Sequence, residues 1–310
     1  MPARSTSALL PPELLARAER LRISPRSRRT NRTQGEHHHG KGGSSTEFSD
    51  YRSYVPGDDT RHVDWNIFSR LGEPYLKLYQ HEEEMQVVLI LDASASMDFS
   101  GKFDLARQLA GALGIAGLMG REKVSAYCIG PPDAAAGPDA PSTLHRMPPS
   151  VGRVSRGKLA AYLDEARPGG AVTIESLVDR VLRRHRGKGV AVLVSDFLSP
   201  AGSDDASIET ALNRLHAAGL EPQAIQVLAP EELDPDVADD VRFVDIETQR
   251  VLDVSAMKDL LALYHEQRLD LEDRLAAACR RRGGRFASVR SDATALSVVN
   301  DVLVRGGWLR

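Results

Sequence analysis

Three side chains with oxygen atoms follow one apolar run of the sequence at alternate positions. Asp92, Ser94 and Ser96 come directly after Val87–Leu91, which has the composition of a strand buried on both faces of a sheet. Open parallel sheets bind ligands beyond the carboxyl ends of their strands. A loop at that position can present one carboxylate and two hydroxyls to a common point, and such hard oxygen ligands suit Mg²⁺. We therefore expect a divalent-cation site at the end of this strand.

Two later segments are expected to reach the same edge of the sheet. Thr173 precedes a helical segment and offers another hydroxyl, and Asp196 follows the apolar run Val190–Ser195 and offers a second carboxylate. The predicted site holds Mg²⁺, Mn²⁺ or Ca²⁺ and has no catalytic residue. Its predicted metal ligands are Asp92, Ser94, Ser96, Thr173 and Asp196.

Simpler interpretations of these residues stay open. The first motif is also typical of a polar turn that caps the next helix, with its hydroxyls bonded to backbone amides, and Asp196 is also a candidate N-cap. In an enzyme, Asp92 would be the nucleophile of a Mg²⁺-dependent, haloacid-dehalogenase-like phosphatase. That chemistry needs a general acid two residues later, where this chain has Ser94. The sequence favours a non-catalytic site.

The elements that position these residues alternate between strands and helices. Connections of helical length between strands require crossovers, so the sequence predicts an α/β fold with a doubly wound, mainly parallel central sheet and helices on both faces. Strands are predicted at residues 75–79, 87–91, 124–129, 190–195, 222–228 and 285–289, a hairpin at 241–252, and helices at 103–119, 158–166, 174–185, 206–217, 257–281 and 293–304.

The chain before the sheet has a different composition. Residues 12–22 are predicted to form a short helix within a basic, flexible arm over residues 1–46, since seven arginines fall between residues 17 and 32. The stretch Gly35–Gly42 resembles a phosphate-binding loop, but its last position lacks the hydroxyl that holds Mg²⁺. We interpret His37–His39 as solvated residues of this arm.

An aromatic segment over residues 47–72 separates the arm from the main domain at residues 73–310. We predict a turn at Val55–Asp59, with Asp58 or Asp59 capping a helix that runs to about Arg70. We expect the aromatic side chains of this segment, including Tyr51 and Trp65, to pack on the main domain.

Composition excludes several classes of protein. The 40 Lys and Arg residues against 43 Asp and Glu residues give a net charge of −3, so the whole molecule is not an electrostatic clamp for nucleic acid. We expect Cys128 and Cys279 to be two buried thiols. The longest weakly polar stretch, 109–120, is too short to span a bilayer, and the N-terminal residues do not resemble a signal peptide. We expect a cytoplasmic protein without membrane insertion.

At this point the chain resembles a known family. Asp92, Ser94, Ser96, Thr173 and Asp196 look like the metal-ion-dependent adhesion site of a von Willebrand factor type A domain, and Phe48–Trp65 is similar to the signature of the bacterial domain of unknown function 58 (DUF58) family. That family combines the signature with a type A domain. The resemblance implies a protein-interaction module that binds an acidic side chain of its partner, and an adaptor role beside a MoxR-type AAA+ ATPase.

Overall fold

The computed structural model describes residues 9–26, 46–81, 85–130, 142–170, 173–198, 205–235, 241–244, 251–254 and 257–310. The chain forms two compact units. The sheet unit consists of Met1–Arg28 and Met85–Arg310, and the hairpin unit consists of Arg29–Glu84.

The helices and strands follow in chain order. The strands are β1 (Thr46–Ser53), β2 (Tyr75–His81), β3 (Gln86–Asp92), β4 (Lys123–Gly130), β5 (Thr143–Ser150), β6 (Gly189–Ser195), β7 (Leu220–Leu228), β8 (Val241–Val244), β9 (Val251–Val254) and β10 (Arg285–Arg290). The helices are α1 (Pro12–Arg20), α2 (Trp65–Leu71), α3 (Lys102–Met119), α4 (Arg156–Glu165), α5 (Ile174–Leu182), α6 (Asp205–Ala217), α7 (Pro230–Leu233) and α8 (Met257–Arg281). Shorter helical segments are Thr60–His62, Ala95–Gly101, Arg153–Ser155, Ala295–Ser297 and the π-helical Val298–Val304.

The sheet unit is built on a central sheet that has six strands among the described residues, in the order β10-β7-β6-β3-β4-β5. Every neighbouring pair is parallel except β4 and β5, which are antiparallel. The strands β8 and β9 form a separate antiparallel hairpin, as the sequence predicted. The α/β fold class with a mainly parallel sheet is confirmed, while the antiparallel edge strand β5 had no counterpart in the sequence analysis.

Strand β3 is buried on both faces, which explains its continuous apolar composition. Val87, Leu89 and Leu91 pack with α1, α3 and α4 on one face. Val88 and Ile90 pack with α5, α6 and α8 on the other. Helices therefore cover both faces, as a parallel sheet requires.

Helix α3 contains the weakly polar stretch noted in the sequence and lies in the core. Its glycines let neighbouring side chains approach closely: a Cβ atom at Gly114 would lie 2.6 Å from Leu159 Cδ2, and one at Gly111 would lie 2.7 Å from Leu10 Cδ2. In the described part of the chain, every helix is too short or too polar to cross a membrane.

The structure differs from the flexible arm that we predicted over residues 1–46. Residues 9–26 belong to the folded sheet unit: Leu14 and Ala18 of α1 are each 1% exposed. Ile23 forms a β-bridge with Leu309, and Arg17 Nε donates a hydrogen bond of 2.7 Å to Asn300 Oδ1. The sequence predicted the apolar face of α1, but it did not predict that this face packs against α3. The histidine run and the stretch 35–42 lie outside the described residues.

The hairpin unit pairs β1 with β2 in antiparallel register and contains α2. The predicted turn is present, but two carboxylates cap two short elements instead of one helix. Asp59 accepts a hydrogen bond from Arg61 N at the Thr60–His62 turn, and Asp64 Oδ1 accepts from Asn66 N and Ile67 N at the start of α2. Because β2 pairs with β1, this unit continues past the domain boundary that we predicted at residue 73.

The aromatic side chains of the hairpin unit are more exposed than we expected. The Trp65 side chain is 61% exposed and contacts Phe68 edge to face, with 5.9 Å between ring centroids. Polar contacts join elements of the unit: Tyr51 Oη donates a hydrogen bond of 3.2 Å to Asp64 Oδ2, and Lys77 Nζ lies 3.0 Å from the same oxygen. The predicted packing on the main domain stays a prediction.

Candidate metal centre

Two aspartates follow the carboxyl ends of adjacent parallel strands. Strand β3 ends at Asp92, and β6 ends at Ser195, directly before Asp196. The two strands are hydrogen-bonded neighbours, with Leu91 opposite Val194. Asp92 is 3% exposed and Asp196 is 1% exposed. The sheet therefore brings both predicted carboxylates to one edge and removes them from water.

The loop after β3 gathers the first three predicted ligands. Asp92 Oδ1 accepts a hydrogen bond of 2.9 Å from Ser94 N, which turns the chain, and Ser94 Oγ lies 3.0 Å from Ser96 Oγ. Ser94 occupies the N-cap position of the Ala95–Gly101 segment but makes no side-chain capping bond. The capping interpretation therefore describes the Asp92 carboxylate, whereas the two hydroxyls face each other.

A second loop is fastened to the first by backbone hydrogen bonds. Gly169 N donates to Ala93 O over 2.8 Å, and Ala95 N donates to Gly170 O over 2.9 Å. Thr173 continues from this loop, and its Oγ1 accepts a hydrogen bond of 3.3 Å from Ser176 N at the start of α5. The Thr173 hydroxyl therefore acts as an N-cap and keeps one lone pair for a further contact.

The Asp196 carboxylate is held from two sides. Its Oδ1 accepts a hydrogen bond of 3.1 Å from Leu198 N, which agrees with the turn-capping interpretation for that oxygen. Its Oδ2 lies 2.9 Å from Lys102 Nζ. Phe197, which lies between Asp196 and Leu198 in the sequence, has a left-handed backbone with φ of +56°. This conformation costs energy for a side chain of this size. The loop after β6 thus fixes Asp196 at the expense of local strain.

Three further side chains that we did not predict from the sequence complete the centre. Ser195 Oγ donates a hydrogen bond of 2.6 Å to Asp92 Oδ2. Lys102, the first residue of α3, is fully buried, and its Nζ also lies 2.5 Å from Glu232 Oε1 in α7. Glu232 could have been found, because it follows the carboxyl end of β7 at the same edge of the sheet. No feature of the sequence marks Lys102 as a buried lysine.

The charges in the centre are unbalanced. Burial, together with the neighbouring Asp196 carboxylate, raises the pKa of Asp92 from 3.8 to about 6. Burial alone would lower the pKa of Lys102, but Asp196 and Glu232 outweigh it and raise that pKa. Three carboxylates and one ammonium leave a formal charge of −2 once Asp92 is ionised.

The donor chemistry fits one hard divalent cation. Within the described ranges, no group of three or more His, Cys, Asp or Glu side chains is arranged to hold a metal, so a cation held here would draw on hydroxyl oxygens or waters besides the carboxylates. Each oxygen of Asp92 already accepts one hydrogen bond and retains a second lone pair. Mg²⁺ keeps several waters when few protein oxygens reach it, which suits a centre with two carboxylates and neighbouring hydroxyls.

Comparison with known proteins identifies the family that the segment Phe48–Trp65 resembles. The family model described as "Protein of unknown function DUF58" matches residues 50–272. The chain belongs to the DUF58 family. An uncharacterized protein of Mycobacterium bovis is 29% identical over 236 residues, covering 74% of this chain and 69% of that protein.

Solved structures similar to this DUF58 protein include von Willebrand factor type A domains. BatB from Bacteroides thetaiotaomicron is 13% identical, with 71% of this chain and 98% of that chain covered and a TM-score of 0.40. A von Willebrand factor type A protein from Catenulispora acidiphila is 12% identical, with 73% and 42% covered and a TM-score of 0.39. The fold assignment for the DUF58 chain rests on its own sheet topology.

Proposed function

We propose that this DUF58 protein is a non-catalytic protein-interaction module. The centre at the carboxyl ends of β3 and β6 would hold a divalent cation. The bound cation would supply a coordination position for an acidic side chain of a partner protein. The observation that carries the proposal is the convergence of Asp92, Ser94, Ser96 and Asp196 at one buried edge with an uncompensated formal charge of −2.

The residues of the centre have distinct parts in this proposal. Asp92 is oriented by Ser94 N and Ser195 Oγ, so that its remaining lone pairs are available in fixed directions. Ser94 and Ser96 present two hydroxyls 3.0 Å apart. Thr173 would offer a further hydroxyl from the start of α5, and Asp196 would contribute negative charge from the neighbouring strand. With one divalent cation the centre becomes formally neutral, and it can then accept a further carboxylate.

The partner that we propose is a protein presenting an acidic residue, and specifically a MoxR-type AAA+ ATPase. This part of the proposal extends the family resemblance of Phe48–Trp65 to a working partner. A cytoplasmic setting, where such ATPases meet their adaptors, belongs to the same proposal.

The hydrolase alternative makes a different demand on the same centre. A phosphatase with Asp92 as nucleophile needs a proton donor two residues later, and that position holds Ser94, which is 2% exposed and bonded to Ser96. Incubation with Mg²⁺ and a generic phosphate ester separates the two functions. Turnover that disappears in Asp92→Asn would favour the hydrolase.

The experiment that tests metal binding is thermal unfolding of the full chain in millimolar Mg²⁺ or Mn²⁺ and in chelator. An ion that binds the folded state alone raises its stability by RT ln(1 + [L]/Kd), so we expect a higher Tm with metal. Ser96→Ala should lose this increment while changing metal-free stability by less than about 1 kcal/mol, because it leaves no apolar cavity. Ser176→Ala, an exposed serine on α5, is the matched control.

Partner binding is measured separately with a purified MoxR-type ATPase. Binding to the wild-type protein should disappear in chelator and in Ser96→Ala, and should persist in Ser176→Ala. A wild-type protein with no metal-dependent Tm shift, whose binding survives chelator, would refute the metal-dependent function.

A further inference from the structure

Two charged side chains outside the predicted ligand set lie inside the centre. Lys102 Nζ lies 2.9 Å from Asp196 Oδ2 and 2.5 Å from Glu232 Oε1, and the Lys102 side chain is 0% exposed. An ammonium group removed from water in this way is stable only when its counter-charges are fixed beside it. Both of its carboxylate partners lie at the carboxyl edge of the sheet: Asp196 directly follows β6, and Glu232 lies in α7, which follows β7.

Glu232 is itself held in place by the N-terminus of its own helix and by α8. Its Oε2 accepts a hydrogen bond of 2.7 Å from Ala229 N, at the start of α7. Its backbone oxygen accepts a hydrogen bond of 2.5 Å from Tyr264 Oη, which belongs to α8. Because the carboxylate and the backbone are both held by hydrogen bonds, the Glu232 carboxylate is fixed in position beside Lys102.

We propose that Lys102 and Glu232 set the charge of the metal centre and thereby its affinity for cations. The Lys102 ammonium is a built-in cation: it holds Asp196 in position when no ion is bound, and it opposes the entry of a divalent ion. Glu232 partly cancels that opposition. This inference rests on the proposed function and assigns positioning roles to two residues that the family resemblance did not include.

The two residues have opposite effects on a bound cation. Without the Lys102 charge, the formal charge of the centre changes from −2 to −3, and without the Glu232 charge it changes to −1. A charge within about 4–6 Å shifts the affinity of a site for a proton by about tenfold to a thousandfold. The affinity of the site for a divalent cation changes in the same direction as its affinity for a proton. A purely structural role for the pair predicts no such difference in sign.

The test is calorimetric titration of the full chain with Mn²⁺ and with Mg²⁺ at pH 8, where Asp92 is ionised. We expect Lys102→Met to lower the Kd by about tenfold or more and Glu232→Gln to raise it by about tenfold. Lys102→Arg keeps the charge and should stay within about threefold of the wild type. Lys158→Met, which removes an exposed lysine of α4, should change nothing. Changes of equal sign in Lys102→Met and Glu232→Gln would overturn the proposal.

A metal-free measurement keeps the proposal testable if Lys102→Met folds poorly. In chelator, Lys102→Met should lower the Tm, and adding Asp196→Asn should recover part of the loss, because the unpaired carboxylate is then removed. Additive effects of the two substitutions would overturn the positioning role of Lys102. If the wild type and all variants bind neither ion, the proposed function fails, while this coupling still decides whether Lys102 holds Asp196.

Discussion

The Asp92→Asn substitution should make the metal-free protein more stable at neutral pH. Asp92 is buried, and its pKa is raised from 3.8 to about 6 in the folded state by burial and by Asp196. A carboxyl group with a raised pKa takes up a proton on folding between these values, so its contribution to stability is favourable at low pH and is lost as the pH rises through about 6. In chelator, ionised Asp92 therefore lowers the stability of the folded protein.

The magnitude follows from the size of the shift. About two pKa units correspond to about 3 kcal/mol, which is the upper limit of what Asp92→Asn should gain at pH 8 in chelator. Lowering the pH to 5 protonates most of the Asp92 carboxyl in the folded protein. The advantage of the variant should then shrink by about 1.4 kcal/mol.

The assay is urea unfolding followed by circular dichroism, at pH 5, 6, 7 and 8 with chelator present. Taking the difference between wild type and Asp92→Asn cancels titrations that the two proteins share. Asp98→Asn, an exposed aspartate after the same motif, is the control and should show no pH-dependent difference from the wild type. A difference between Asp92→Asn and the wild type that stays constant from pH 5 to pH 8 would refute the assignment of this titration to Asp92.

Three other outcomes follow from the structure. Leu14→Ala should lower the free energy of unfolding in urea by about 2–5 kcal/mol, since Leu14 is 1% exposed in the core; no loss would mean that α1 is detached from the sheet unit. The Mg²⁺ Kd from calorimetry should rise by about tenfold per pH unit below pH 6, as protons compete for Asp92; a Kd constant down to pH 5 would contradict metal binding by this carboxylate. Cys128 and Cys279, whose pKa values burial raises to about 12, should react with a thiol reagent only in urea, and rapid reaction of the native protein would contradict their burial.

Most strands of the central sheet could be predicted from the sequence, because parallel strands that are buried on both faces are continuous apolar runs. Val87–Leu91 and Val190–Ser195 are continuous apolar runs, and each leads into one aspartate of the centre. The rule that ligands gather at the carboxyl ends of parallel strands was then enough to place Asp92 beside Asp196. Strand β5 lacked such a signature: it contains Pro148 and Pro149, and its burial alternates irregularly at the edge of the sheet.

The remaining parts of the centre depend on contacts between distant segments. Lys102 reads as an ordinary helical lysine, and its burial follows from the loops after β6 and β7, which lie 94 and 130 residues later in the chain. The packing of α1 likewise depends on the shape of α3. Local patterns do not contain such information, so both features were absent from the sequence analysis.

The bridge between Ile23 and Leu309 bears on the order in which parts of the polypeptide fold during synthesis. These two residues are separated by nearly the whole chain, and backbone hydrogen bonds join Arg22 to Arg310 and Ser24 to Trp308 around them. Contacts of such long sequence separation form late, because a large loop must close first. During synthesis, the segment after α1 stays without its strand partner until residue 309 has left the ribosome. A nascent chain therefore emerges with the segment around Ile23 unpaired, and this pairing forms only when the segment around Leu309 becomes available.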